Sequence, residues 1–230
     1  MGFFETVVVL FQRYHKFFFE GCKNTVILAL FSVVIGSLGG TLLSLMRMSK
    51  FKVIKYPAVA FVEFVRGTPL MVQLMFIFYG LPMIGVTFPD ISFIPNFSRF
   101  MAGVLAMSLN SSAYVSEIIR SGIQAVDPGQ MEAARSIGFT YGESMRKVIL
   151  PQAVKNILPA LGNEFVTIIK ESSIVSVIGI ADLMFRTNDV IAITYRSLQA
   201  LLIAALMYFF MTFITSRLIS FAERKMKNGR

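Results

Sequence analysis

Long stretches without charge are the feature that most limits what this chain can fold into. Residues 24–46 and 67–89 each run for 23 positions without Asp, Glu, Lys or Arg, residues 197–216 for 20 and residues 100–116 for 17. A helix needs about 20 apolar residues to cross the ~30 Å hydrocarbon core of a bilayer. Because only 15% of the chain is charged, against roughly 25% in soluble domains, we predict an all-α integral membrane protein.

A fifth apolar segment, residues 156–180, carries Glu164, Lys170 and Glu171. Ionisable side chains inside a membrane face protein or water rather than lipid, so we interpret this segment as a span as well. The sequence thus predicts a single transmembrane domain over residues 1–230. Its five transmembrane helices cover residues 22–46, 57–82, 99–119, 156–180 and 197–219.

Aromatic and aliphatic side chains recur at helical spacing at the N-terminus, with Arg13 and Lys16 between them. This pattern is typical of an amphipathic helix in the membrane interface, so we predict a separate interfacial helix over residues 1–21. Gly36 and Gly40 form a GxxxG motif in the first span. The motif either lets a neighbouring helix approach closely or reflects the ordinary glycine content of membrane helices.

Basic residues predict the orientation in the membrane. The segments that follow spans one, three and five hold 14 Lys and Arg residues, whereas the segments on the opposite side hold six. Cytoplasmic loops carry the excess of Lys and Arg, so the N-terminus lies outside and the C-terminus is cytoplasmic. Topology therefore accounts for the formal charge of +9, and a chain that is 55% hydrophobic does not suit a nucleic-acid partner.

Sequence motifs for catalysis are missing from the chain. Neither the GxxxxGK[ST] phosphate loop nor the GxSxG motif of serine hydrolases occurs. Cys22 and His15 are the single cysteine and the single histidine, which speaks against a metal cluster and against catalysis by histidine. We predict no catalytic residue, no metal site and no cofactor on this chain, which is then not itself an enzyme.

The longest polar stretch is the predicted cytoplasmic loop, residues 120–155. Asp127 before Pro128 predicts the start of a helix, with an acid at the N-cap and proline in the first position. We expect Gly138 and Gly142 to interrupt this helix, a second short helix to run from about Glu143 to Leu150, and Pro151 to stop or kink the chain. Two short helices across a cytoplasmic face form a docking surface rather than an active site.

The spacing within this loop resembles the EAA loop of ABC importer permeases. The matching residues are Glu132, Ala133, Ala134, Gly138, Leu150 and Pro151, while Val148 stands where the family prefers Ile. Other segments resemble the polar amino acid uptake permeases, which have a MetI-like five-helix transmembrane domain. These segments are Arg66-Gly67-Thr68-Pro69 with Gln73, Asn110-Ser111-Ser112-Ala113-Tyr114, and Leu161-Gly162-Asn163-Glu164-Phe165.

The resemblance implies the permease subunit of an ATP-driven importer, a multi-pass protein that translocates polar or basic amino acids across a bacterial plasma membrane. It implies three partners: a second permease chain in a homo- or heterodimer, a cytoplasmic ABC ATPase dimer that binds ATP and Mg, and an extracytoplasmic amino acid-binding protein. The EAA-loop residues would couple this chain to the ATPase. The alternative is an ATP-independent secondary amino acid transporter or channel, which would need no docking loop.

Polar side chains within the spans predict the substrate pathway, because they are costly inside a membrane. Carboxylates suit an ammonium group, and hydroxyls and amides suit a carboxylate, so a cationic amino acid and a polar neutral one both fit. We expect a distorted backbone at Pro69 to offer free carbonyls, and Glu63 and Arg66 to neutralise one another or to bind neighbouring helices. The pathway candidates are Thr68, Gln73, Ser108, Asn110, Ser111, Ser112, Glu164, Thr167 and Glu171.

Overall fold

The computed structural model describes residues 2–91 and 96–228, with side chains as far as Lys225. This part of the chain consists of helices joined by short links and contains no strand, so the predicted all-α class is confirmed. The first half comprises α1 (Phe3–Arg47), α2 (Lys52–Arg66), α3 (Leu70–Met75), a π turn (Phe76–Gly80), α4 (Leu81–Met83) and α5 (Phe97–Gln124).

Shorter helices alternate with long ones in the second half. The elements are α6 (Pro128–Ser136), α7 (Tyr141–Ser144), a π turn (Met145–Ile149), α8 (Leu150–Glu171), a 3-10 helix (Ser172–Ile178), α9 (Leu183–Thr194) and α10 (Ser197–Asn228). α9 lies in a segment for which the sequence predicts no helix. The carboxylate of Asp182 begins this helix by accepting a hydrogen bond of 2.9 Å from the Phe185 amide, and Arg186 pairs with Glu20 of α1 at 2.6 Å.

The N-terminal helix differs from the prediction. α1 runs for 45 residues without a break, so no helix end separates the predicted interfacial helix (residues 1–21) from the predicted first span. The position of the membrane along α1 stays a prediction. Gly21 does not end the helix but lets α9 approach, since a Cβ there would lie 2.6 Å from the Leu183 Cα. Leu10 and Phe18 are buried against side chains of α9 and α10. This apolar side therefore packs on protein.

The predicted span over residues 57–82 is two helices rather than one. Lys52–Arg66 and Leu70–Met83 are bent by 108° relative to each other. The break falls at Gly67, which caps α2, and at Pro69, which caps α3 with an extended backbone. The residue before a proline is disfavoured in the helical region, so α2 cannot continue through Thr68.

Among the described helices, length and apolar character qualify two to cross a membrane. These are α1 and Ser197–Lys225 of α10, and a third qualifies if the bent pair counts as one broken span. α5 and α8 fall short because charged and polar side chains interrupt them. The count of five spans and the orientation of the termini therefore stay predictions.

The sequence predicts that Pro151 ends or kinks the helical segment before α8, but no helix ends there. The Leu150 amide donates to the carbonyl of Met145 in the preceding π turn, and Pro151, which has no amide hydrogen to donate, lies in the first turn of α8, where proline is tolerated. The helix that contains most of the predicted span (residues 156–180) therefore begins earlier, at Leu150. The last part of that predicted span is a 3-10 helix.

α5 occupies the centre of the fold and packs closely on α1. A Cβ on Gly36 would lie 2.7 Å from the Ser111 Cβ, and one on Gly40 would lie 2.6 Å from the Val115 Cβ. The GxxxG motif of α1 thus serves close helix approach, one of the two readings of the sequence. The two helices run parallel, since successive turns of α1 meet successive turns of α5. This packing holds the polar residues of α5 in place.

Candidate functional site

A buried carboxylate lies between α5 and α8. Glu164 of α8 is 8% exposed, and its Oε1 accepts a hydrogen bond of 3.0 Å from the Ser111 hydroxyl. Within the described residues, no Lys or Arg forms a salt bridge with this carboxylate. An uncompensated buried charge costs several kcal/mol. Glu164 is therefore poised to take a cation or a proton that arrives from elsewhere.

A second polar cluster forms at the break between α2 and α3. The side-chain amide nitrogen of Gln73 has three acceptors for its two hydrogens: the Val65 carbonyl at 2.8 Å, the Thr68 carbonyl at 3.1 Å and the Thr68 hydroxyl at 2.9 Å. Its Oε1 accepts a hydrogen bond of 3.1 Å from Asn110 of α5. The carbonyls of Val65 and Thr68 are therefore not free, contrary to the prediction for the backbone near Pro69, because Gln73 binds both of them and ties the break to α5.

The two clusters meet on α5, because Asn110 and Ser111 are consecutive residues of that helix. Asn110 reaches Gln73 on one side, and Ser111 reaches Glu164 on another. Both are buried. Their different directions follow from the ~100° turn between neighbouring helical positions. One level of α5 therefore connects the α2–α3 break with the acidic position of α8.

Four of the predicted pathway residues stay outside these clusters. The Ser112 hydroxyl donates to the Leu109 carbonyl of its own helix at 2.7 Å, and the buried Ser108 hydroxyl has no hydrogen-bond partner in the described structure. Thr167 and Glu171 are half-buried on α8. In the described ranges, no three His, Cys, Asp or Glu side chains are arranged as metal ligands.

Sequence reasoning missed a charged cluster farther along α5. Glu117 Oε2 lies 3.0 Å from Nη1 of Arg47 and 3.6 Å from Nη1 of Arg66, while its Oε1 pairs with Arg120. The Arg47 side chain is only 9% exposed. The one local signal for the cluster was Arg120, three positions after Glu117 on the same helix. Arg47 and Arg66 come from other helices, so the sequence could not have revealed their contacts.

The sequence left two alternatives for Arg66, a salt bridge with Glu63 or binding to a neighbouring helix, and the structure shows the second. Arg66 binds a neighbouring helix through Glu117 and places its guanidinium 5.8 Å from the centre of the Tyr114 ring. The described structure contains no salt bridge between Arg66 and Glu63, whose side chain is exposed. Glu117 thereby joins the ends of α1 and α2 to α5.

The predicted docking loop begins as its sequence indicated. The Asp127 carboxylate accepts a hydrogen bond of 2.7 Å from the Gly129 amide, and α6 starts at Pro128. Gly138 ends the turn after α6 with φ of +96°, a conformation that residues with a Cβ rarely adopt. The N-cap and the turn at Gly138 are both confirmed, whereas Gly142 lies within α7 and does not interrupt a helix.

The exposed side of this loop is where the EAA residues lie. Glu132 and Ala133 are exposed on α6, whereas Ala134 is buried. Ile137 and Tyr141, which sequence reasoning did not select, flank Gly138 and are also exposed, Ile137 to 75%. The sequence signal that could have identified Ile137 is an apolar residue within a polar loop. α6, which also exposes Arg135, and the turn after it thus present a surface of charged and apolar side chains.

The remaining part of the loop holds this surface in place. Thr140 caps α7 through a reciprocal capping box with Glu143, and the hydrogen bonds from the Thr140 amide and hydroxyl lower the pKa of the Glu143 carboxyl. Leu150 and Pro151 belong to α8 rather than to the α6 surface. Gln152 of α8 donates to Gln130 of α6 at 3.3 Å, which links the two helices.

Similarity to known proteins extends along nearly the whole chain. Residues 26–228 match the family of binding-protein-dependent transport system inner membrane components. The arginine transport system permease protein ArtQ of Bacillus subtilis (strain 168) is 43% identical over 213 residues, covering 93% of this chain and 94% of that protein. The putative glutamine transport system permease protein GlnP of Rickettsia conorii (strain ATCC VR-613 / Malish 7) is 41% identical over 220 residues, covering 94% and 97%.

A solved structure has the same fold. The crystal structure of an amino acid ABC transporter with histidines contains a chain that is 48% identical to this one, with a TM-score of 0.87. The alignment covers 98% of this chain and 99% of that chain.

Proposed function

This chain belongs to the family of binding-protein-dependent transport system inner membrane components, and we propose that it carries polar or basic amino acids across a bacterial plasma membrane. It acts as the permease subunit of an ABC importer whose energy comes from ATP hydrolysis on a separate subunit. The observation that carries the proposal is the buried Glu164 carboxylate, hydrogen-bonded by Ser111 and without a basic partner in the described structure.

The chemistry of this position suits an amino acid. When the ammonium group of a substrate, or the side-chain cation of a basic one, reaches Glu164, it supplies the missing counter-charge. Charge-assisted hydrogen bonds of this kind contribute about 1.5–3 kcal/mol each. The hydroxyl of Thr68 and the amides of Gln73 and Asn110 form the second polar cluster, on another side of α5, and are suited to the carboxylate of a substrate at a different point of its pathway. Thr167 and Glu171 extend the acidic side of α8.

The names of similar proteins support this substrate class. The relatives include an arginine permease and a putative glutamine permease, and the solved transporter was crystallised with histidines. Arginine and histidine are basic amino acids and glutamine is a polar neutral one. Both groups fit a site with one acid and several neutral polar side chains, so the choice between them stays open.

The α6 surface is the proposed connection to the ATPase. Glu132, Ala133 and the turn at Gly138 dock into a groove on the cytoplasmic ATPase, with Ile137 and Tyr141 as apolar contacts beside them. Ala134 supports this surface from its buried side, and Leu150 and Pro151 hold the start of α8 beneath it. Closure of the ATPase dimer on ATP and Mg then moves α6 and opens the pathway to the other side of the membrane.

The proposed assembly has four parts, as the family membership suggests: this chain, a second permease chain, the ATPase dimer and a binding protein. A second permease chain, identical or different, completes the pathway, and an extracytoplasmic binding protein delivers the amino acid. The chain crosses the membrane five times, with its N-terminus outside and its C-terminus in the cytoplasm. An ATP-independent secondary transporter is the alternative, and the family membership does not favour it.

ATP-dependent uptake separates the two functions. The chain is reconstituted in liposomes with its second permease chain, the ATPase and the binding protein, and uptake of radiolabelled arginine and glutamine is measured. We expect uptake that requires ATP on the ATPase side and that stops with a non-hydrolysable ATP analogue. Uptake that proceeds without the ATPase would overturn the importer assignment in favour of secondary transport.

A further inference from the structure

The first two turns of α2 make no contact that buries them. Every residue from 50 to 57 is exposed, including Phe51 at 72% and Val53 at 86%. The helix is nonetheless well formed here, because the Phe51 carbonyl accepts hydrogen bonds from the amides of Ile54 and Lys55 at 3.1 and 3.0 Å. An ordered helix end with exposed aromatic and aliphatic groups leaves an apolar surface available for a partner outside the described chain.

This helix end carries cations without compensating acids. Lys50, Lys52 and Lys55 lie within six positions, and none of them forms a salt bridge in the described part of the chain. The nearby arginines differ, since Arg47 and Arg66 are held by Glu117. A partner with negative charge would complement the three lysines.

Apolar and basic residues occupy neighbouring sides of α2. Lys52 and Lys55 are three positions apart and share one side, while Val53 and Tyr56 share the adjacent side. The Val53 side continues to Phe64, also exposed, eleven positions or about three turns later. Helices with this arrangement lie at the membrane surface, with cations at the headgroups and apolar groups among the acyl chains.

The position in the fold agrees with a site at the membrane surface. The lysines follow directly on the end of α1 at Arg47, and the bend of 108° turns α2 away from the direction of α3. In the proposed topology, on which this inference rests, the end of α1 lies at the inner side of the membrane. That leaflet is the negatively charged one.

We propose that residues 50–57 bind an anionic phospholipid of the inner leaflet. The ammonium groups of Lys50, Lys52 and Lys55 contact the phosphate and the anionic headgroup, and Phe51, Val53 and Tyr56 contact the upper part of the acyl chains. A bound lipid would compensate the three cations and cover the exposed apolar side.

The absence of tryptophan makes a direct test available. The chain contains no Trp, so Phe51→Trp introduces a single fluorophore at an exposed aromatic position. The full-length variant is reconstituted in liposomes that contain either brominated phosphatidylglycerol or brominated phosphatidylcholine at equal mole fraction, and bromine quenching reports contact. We expect stronger quenching by brominated phosphatidylglycerol than by brominated phosphatidylcholine. This preference should weaken at 0.5 M salt, because the Debye length becomes shorter and the attraction between lysines and headgroups is screened.

Two sets of variants test the lysines. In the Phe51→Trp background, each Lys→Gln change at positions 50, 52 and 55 should lower the preference by roughly two- to fivefold, whereas Lys→Arg changes should keep it. Phe210→Trp, on an exposed part of α10 with no charged residue from 197 to 216, provides the matched control and should show no headgroup preference. Since these lysines are exposed, the changes leave the packing of the helix intact.

Equal quenching of Phe51→Trp by the two lipids would overturn the proposal, as would a preference that survives the triple Lys→Gln change. Loss of quenching upon addition of the ATPase would also overturn it and assign the surface to that subunit. The measurement requires neither substrate nor ATP. A failure of the lipid site is therefore distinguishable from a failure of the importer function.

Discussion

The hydroxyl of Ser111 donates a hydrogen bond of 3.0 Å to Oε1 of Glu164, and the same serine lies against Gly36 of α1. Three helices therefore meet at one side chain. A shift of α8 against α5 changes the Ser111–Glu164 hydrogen bond, and a shift of α1 against α5 changes the packing of Gly36 on Ser111. In an importer that alternates between two arrangements of its helices, the Ser111–Glu164 pair links the packing of the helices to the proposed substrate position.

Ser111→Ala tests that link. The change removes the donor and leaves Glu164 without its hydrogen bond, a loss of about 1.5–3 kcal/mol, so ATP-dependent uptake in proteoliposomes should fall by roughly 10-fold or more. Ser112→Ala is the matched control, because that hydroxyl bonds only to the Leu109 carbonyl of its own helix. Equal effects of the two changes would count against a specific role of Ser111.

Gly36→Ala tests the close packing of α1 on α5. The new methyl group would lie 2.7 Å from the Ser111 Cβ, and overpacking of this kind costs about 1–3 kcal/mol. Thermal unfolding in detergent should show a Tm lowered by several degrees. Gly142→Ala, where no atom lies within 4 Å, should leave Tm unchanged or raise it slightly. A Gly36→Ala variant as stable as the parent would show that α1 and α5 are not this close.

Some of this structure follows from local sequence signals. Asp127 before Pro128 specifies a helix start through its own side chain, and Gly138 specifies a turn through the conformation that it alone tolerates. The polar residues of α5 and α8 could be chosen because burial of such groups is costly in a membrane. These inferences need no knowledge of the neighbouring helices.

Other features depend on which helices meet. Gly21 is the last residue of the predicted interfacial helix, but in the structure it forms a close contact with α9. Pro69 signals a break without specifying a bend of 108°. Glu117 is surrounded by arginines that are 70, 51 and 3 positions away along the chain. Ser112 is selected on the same ground as Ser111, as a hydroxyl within a predicted span, yet its hydroxyl donates to the backbone of its own helix. Only the packing of the helices distinguishes them.

Glu117→Gln tests the charged cluster that joins α1, α2 and α5. The change leaves Arg47, Arg66 and Arg120 without their shared carboxylate, and hydrogen bonds to charged groups contribute about 1.5–3 kcal/mol. We expect a clear loss of stability in detergent, measured as a lower Tm. The control is Glu143→Gln, since glutamine keeps the capping box with Thr140 and the Lys147 pair is exposed. A Glu117→Gln variant with an unchanged Tm would exclude a structural role for the cluster.

Gly138→Leu tests the docking surface. A side chain at φ of +96° strains the backbone by about 1–2 kcal/mol and displaces the turn between α6 and α7. The ATPase should continue to hydrolyse ATP while uptake falls, so that more ATP is consumed for each amino acid transported. Gly142→Ala, which lies within α7, should keep the original ratio. Unchanged uptake by Gly138→Leu would contradict the assigned docking role.

Equilibrium binding of a radiolabelled amino acid to the purified complex of the two permease chains and the ATPase, without the binding protein, tests the central claim most directly, because it isolates the substrate position from ATP hydrolysis and from the amino acid site of the binding protein. Glu164→Gln removes the negative charge with little change of shape, whereas Glu63→Gln makes the same chemical change at an exposed position. If Glu164 receives the amino acid, Glu164→Gln should weaken arginine binding by roughly 10-fold or more, and Glu63→Gln should leave the Kd unchanged. Arginine binding of unaltered affinity in Glu164→Gln would contradict the account.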